Sequence, residues 1–175
     1  MKRILVLTAL LMCTLSFVTG AAFAASNGGR GNSSGGTSSI NAEIPSLVLI
    51  SSLDDIDLGT WDGQSAMSGT EPNCVWSTTG GYSITGIGSG TDGAFTITNG
   101  SDELTYTAEW SDSSNKKSKK LKANRAQAGR ITDADAQDCN GNTTAILDIE
   151  INKGRLNSSS AGLYSGTLTL IVAVE

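Results

Sequence analysis

Histidine is missing from all 175 residues. That absence removes the commonest general base, the usual base of serine hydrolases and the commonest zinc ligand, so most hydrolase mechanisms are disfavoured and an enzyme is not expected. Cysteine is scarce: Cys13, Cys74 and Cys139 are the whole set, too few without histidine for a four-ligand zinc site. Positive charge is short as well. Twelve Lys and Arg face 17 Asp and Glu, a net charge of −5, which argues against nucleic acid, whose affinity comes mainly from neutralising phosphates. After the first 24 residues no stretch approaches the roughly 20 apolar residues that a membrane-crossing helix needs. No metal, cofactor or catalytic residue is expected.

What is present begins with a leader. Lys2 and Arg3 precede an apolar run from Ile4 to Val18, and small residues follow to Ala22-Phe23-Ala24, the pattern of a secretory signal peptide cut after Ala24. Met12 before Cys13 is not the small residue a lipoprotein signal carries there, so no lipid anchor is expected. The mature chain is then about 150 residues, one domain, soluble outside the cytoplasm. There an even pair of cysteines, Cys74 and Cys139, is expected to form a disulfide. Closing a loop of that length stabilises by about 4 kcal/mol in the chain-entropy description.

Residues 25–44 form a flexible arm, opening on "ASNGGRGNSSGGTSS", with too little apolar surface to offset its ordering entropy. Residues 45–175 form the folded domain. At the junction, "SINAEIPSLVLISS" alternates Ile40, Ala42 and Ile44 before Pro45, a short strand-like stretch interrupted by proline. Strand character then recurs between turn residues at 56–61, 74–77, 82–87, 94–98, 104–110, 145–151 and 163–174. Asn99-Gly100 marks a hairpin. "ELTYTAEW" puts Leu104, Tyr106, Ala108 and Trp110 on one face, and "AILDIEI" does the same for Leu147, Ile149 and Ile151. One-sided burial fits an antiparallel sheet. The best helical candidate, "KKLKANRAQAGR", lacks an apolar stripe. About seven strands at this spacing indicate an all-β, immunoglobulin-like sandwich.

The last stretch, "AGLYSGTLTLIVAVE", is apolar on both faces, with Leu168, Leu170, Val172 and Val174 on one and Ile171 and Ala173 on the other. Together with "DIDLGTWDG", a first cysteine, "GYSITG" and "FTITNGSDELTYTAEWSD", in that order, it resembles bacterial chaperone-usher pilus subunits. Within that group it is similar to the archaic branch with spore coat protein U-like domains, where a closing Ala-Gly-x-Tyr-x-x-Thr is typical. The resemblance covers residues 47–175. It implies an incomplete sandwich whose last strand borders an open groove, filled first by a strand of a periplasmic chaperone and later by the arm of a neighbouring pilus subunit, with an outer-membrane usher assembling the fibre. Gly162, fourteenth from the end, and the alternating Leu168, Leu170, Val172 and Val174 match the groove residues of such subunits; Val174 stands where they carry a penultimate aromatic. Ile40, Ala42 and Ile44 are the donor-strand candidates. These are three alternating residues where a good donor has four or five, so either Leu47 and Leu49 extend the strand across Pro45 or the subunit is a poor donor, which suits a minor or terminal one. The resemblance further implies secretion through the periplasm to a cell-surface fimbria, with a role in adhesion.

Other features have plainer readings. "KKSKKLK", residues 116–122, could contact anionic sugars, but a solvated loop between strands is the expected role. Asp133, Asp135 and Asp138 lack the register of a calcium loop. Asp54, Asp55 and Asp57 near Trp61 and Asp62 outline a carbohydrate site, but nothing in the sequence fixes the carboxylate separation that glycosidase chemistry needs. The alternative reading of the chain is a self-contained secreted binding module that uses exposed aromatics for a sugar or surface ligand. Trp61, Trp76 and Trp110 are expected in the core.

Overall fold

The computed structural model describes residues 25–113 and 118–175. The expected signal peptide, and Lys116 and Lys117 of the basic cluster, lie outside the described residues. Two units are distinct, 1–43 and 44–175. In the described part of the first, Ser26 and Thr37 exchange both backbone hydrogen bonds at 3.1 and 2.9 Å, and the side chains remain exposed.

The second unit is an antiparallel β-sandwich. Among the described residues its strands are β1 (Val48–Ser51), β2 (Met67–Ser77), β3 (Gly81–Gly88), β4 (Thr96–Thr98), β5 (Glu103–Thr105), β6 (Thr107–Asp112), β7 (Lys119–Lys120), β8 (Gln127–Ile131), β9 (Ala145–Ile151) and β10 (Leu168–Val174). One sheet has the order β1-β2-β9-β6-β7, a second β10-β3-β8, and β4 pairs with β5. Every pairing is antiparallel. The alternation in "AILDIEI" sends Ala145, Leu147, Ile149 and Ile151 inward, all buried, into the core cluster that also holds Tyr82 and Ile84 of β3. Gly88 ends β3 because the chain crosses there: a Cβ would stand 2.1 Å from the Ala94 carbonyl oxygen.

"ELTYTAEW" buries Leu104, Tyr106, Ala108 and Trp110 as the alternation requires, but it is two strands. β5 pairs with β4 and β6 with β9, and the change of partner falls at Tyr106, whose N–H donates to Phe95 O at 2.9 Å. Pro72 is tolerated inside β2 because β1 reaches along β2 only to Cys74, so the missing N–H leaves no ladder bond unmade. The disulfide joins Cys74 to Cys139, with an S–S distance of 2.02 Å. At the same end of the sandwich Trp110 Nε1 donates to the Tyr82 hydroxyl at 3.0 Å, and Arg130 pairs with Asp112 at 3.5 Å, both side chains buried.

Several expectations need correction. Residues 56–61 form no strand: Asp57 Oδ1 accepts from Gly59 N at 2.8 Å, Gly59 has a positive φ, and Asp62 Oδ1 accepts from Gln64 N and Ser65 N. These side-chain turns compete with the ladder. Residues 40–44 are likewise not strand, and 163–167 precede β10 without joining it. "KKLKANRAQAGR" supplies β7, a turn and β8, where Ala128 and Gly129 gave no alternation to read. A six-residue helix, α1 (Lys153–Ser158), is capped by Asn152, whose Oδ1 accepts from Gly154 N at 2.7 Å, and anchored by buried Leu156. Trp76 is not a core residue; it sits between inward Val75 and Ser77 and faces outward beside Leu49.

Candidate functional site

β10 pairs with β3 through seven residues, from Leu168↔Gly88 to Val174↔Tyr82. Among the described residues its other edge has no ladder partner. Alternation sends Leu168, Leu170 and Val172 inward, half-buried against the core, while Thr169, Ile171 and Ala173 face out. Ile171 is 48% exposed. Unpaired strand edges are templates for another strand.

Beside this edge lies a groove of about 1200 Å³. Its floor is the inner face of the large sheet, where Met67, Gly69 and Glu71 of β2 oppose Ile151, Ile149 and Leu147 of β9. Leu104 and Tyr106 continue that floor, and Leu168 and Leu170 form one wall. The opposite wall is the irregular stretch from Leu53 to Trp61. It lies close to the sheet because residue 69 is glycine, where a Cβ would stand 2.5 Å from Ile56 Cγ2 and 2.8 Å from Leu58 Cδ2.

The end wall is the loop 159–167, which includes Gly162. It is tied to the β4–β5 hairpin. Asp102 Oδ2 accepts from Ser160 N at 2.9 Å and lies 3.1 Å from the Tyr164 hydroxyl, while Thr98 and Ser165 exchange backbone bonds at 2.9 and 3.0 Å. The Ser160 N–H, and then Tyr164, hold the Asp102 carboxyl below its ordinary value. A Cβ on Gly162 would sit 3.0 Å from Asn99 Nδ2, so glycine lets this loop lie against the hairpin.

Four carboxylates, Asp54, Asp55, Asp57 and Glu71, line the groove; among the described residues no Lys or Arg does. Glu71 is buried and accepts a hydrogen bond from Asp54 N. Burial pushes its carboxyl above the ordinary value; the Asp54 N–H opposes that rise, and the neighbouring Asp54 and Asp55 charges add to it.

The residues read from the sequence thus divide. Gly162, Leu168 and Leu170 line the groove; Val172 and Val174 do not. They belong to the part of β10 beyond it, on the strand that approaches β1 to within 8 Å between Cα atoms. Ile40, Ala42 and Ile44 are exposed, Ile40 by 94% and Ile44 by 85%. Sequence reasoning missed the floor as a surface, because Leu104, Tyr106, Leu147 and Ile149 read as ordinary core. It also missed Glu71, whose burial no local pattern signals.

No family model matches this chain and no curated protein matches it. Among solved structures it is similar to a chain from a chaperone–tip adhesin complex described as vital for synergistic activation of CFA/I fimbriae biogenesis. The TM-score is 0.52 at 17% sequence identity, over 73% of this chain and 41% of that one. This chain therefore spans less than half the length of that relative. At such identity the likeness is one of fold, an all-β sandwich.

Proposed function

We propose that this chain is a structural subunit of a surface pilus, which acts without catalysis and is joined to its neighbours by strand complementation. The observation that carries the reading is the apolar groove beside the open edge of β10. A strand laid there would extend the β10-β3-β8 sheet through main-chain hydrogen bonds and set alternate side chains on Leu104, Leu147 and Ile149. Each aliphatic side chain so buried contributes about 1.5–3 kcal/mol. The fold it shares with a chain of a fimbrial chaperone–adhesin complex supports the same reading.

In this proposal the chain crosses the periplasm with a chaperone strand in the groove, and an outer-membrane usher exchanges that strand for the arm of another subunit. The archaic, spore coat protein U-like type and a minor position in the fibre rest on the sequence resemblance. Exposed Ile40, Ala42 and Ile44 are the donor candidates in turn. The test is to produce the chain in a periplasm with and without a fimbrial chaperone. The chain should be recovered as a stable complex with it, and as aggregate or degraded without it. A soluble monomer of unchanged yield in both cases would overturn the proposal.

One observation favours a second reading: Trp61 and the carboxylates Asp54, Asp55 and Asp57 line the same groove, an arrangement suited to a sugar. Saturable binding of a neutral oligosaccharide by the monomer would select it.

A further inference from the structure

The other side of the sandwich has different chemistry. β7 is the outer strand of the five-stranded sheet and β8 that of the three-stranded one, so they form the edge across from β1 and β10. The turn at Lys122–Arg125 links them. Between them opens a cavity of about 370 Å³ lined by Lys119, Lys122, Arg125, Gln127 and Arg130, with Ala126 and Ala128. Among the described residues, no carboxylate lines it.

Lys120 beside it is matched by Glu109 at 4.0 Å, and Arg130 by Asp112 at 3.5 Å. Among the described residues, no carboxylate oxygen comes within 4.0 Å of Lys119, Lys122 or Arg125. Three unmatched cations around one concavity, in a chain of net charge −5, concentrate anions there.

Arg130 adds a donor of another kind. Its side chain is only 4% exposed. The guanidinium donates through Nη2 to Gln127 Oε1 and pairs through Nη1 with Asp112, but its buried Nε has no partner. A buried donor left unmatched costs about 1–3 kcal/mol, and a guanidinium fork suits the geometry of an oxyanion.

We infer that the β7–β8 edge is an anion site that takes a single oxyanion group, phosphate, sulfate or carboxylate, free or carried on a sugar. Arg130 is its fixed inner donor, and Lys119, Lys122 and Arg125 supply the outer charge. The inference does not depend on the groove. Because the site lies on the opposite edge, an occupied groove leaves it open.

The test titrates the chain as recovered from the periplasm, with any bound partner, using sodium phosphate, sodium sulfate and a sulfated disaccharide at ionic strength fixed with chloride. The readout is the Arg130 Nε–H signal in the nitrogen–proton NMR spectrum. A saturable shift is expected. Combining Lys122→Gln with Arg125→Gln should weaken it at least tenfold, and the charge-matched pair Lys153→Gln with Arg155→Gln should leave it unchanged; all four positions are exposed, so the unfolding midpoints should agree. Tighter binding of the disaccharide than of sulfate assigns the carrier, and equal binding assigns the free ion. A shift that chloride reproduces, or one that Lys153→Gln with Arg155→Gln weakens as much as the Lys122, Arg125 pair does, would overturn the inference.

Discussion

Replacing Leu170 by Asp puts a carboxylate on the inward face of β10, where the leucine is half-buried and lines the groove. Its neighbour Ile171 lies on the opposite face, 48% exposed and paired with Thr85. The two substitutions therefore add the same charge to the same strand, one residue apart, on different sides. An incoming strand at Leu170→Asp loses about 1.5–3 kcal/mol of apolar contact, and enclosing an unmatched charged group costs at least about 1–3 kcal/mol more. A sum near 4 kcal/mol is about a thousandfold in affinity. Ile171→Asp should change affinity by no more than a few-fold. The assay is affinity for the periplasmic chaperone, measured for each variant beside its urea unfolding midpoint, with Leu170→Ala as a milder companion should the aspartate prevent folding. Equal loss from both aspartates, or retention of binding by folded Leu170→Asp, would refute the reasoning.

The buried charges make further predictions. Glu71 has a raised carboxyl, so its contribution to stability is full below the ordinary glutamate value of 4.5 and is lost as pH rises through the folded value. Glu71→Gln should therefore gain thermal stability relative to wild type as pH rises from 4 to 7, and parallel melting curves would contradict this. Asp112→Ala strands the buried Arg130 guanidinium and should cost about 3–5 kcal/mol in urea unfolding; a cost below about 1 kcal/mol would mean that the pair is solvated. Replacing Cys74 and Cys139 together by Ala opens a loop spanning 65 positions and should cost about 4 kcal/mol, read by denaturant midpoints with and without reductant.

Much of the sandwich was legible because alternation is a strong signal wherever one face is buried. β9 coincides with "AILDIEI", and the hairpin at Asn99-Gly100 joins β4 to β5. The failures have physical causes. Residues 56–61 alternate as a strand would, yet Asp57 and Asp62 satisfy backbone N–H groups locally and bend the chain into a groove wall. β8 carries its one inward anchor as Arg130, a charge paired across the sandwich, which periodicity scores as polar. In the site, Leu168 and Leu170 could be read from the pattern of β10. The floor could not, since whether Leu147 meets another side chain or an open groove depends on what the rest of the chain leaves uncovered. Glu71 was hidden for the same reason.

The most direct measurement is a structure of this chain in the assembly isolated from its source, by electron microscopy of filaments or crystallography of the chaperone complex. The account expects a strand of a second chain hydrogen-bonded along the open edge of β10, its inward side chains resting on Leu104, Leu147 and Ile149. A groove left empty in the assembled protein, or closed by residues of the same chain, would contradict it.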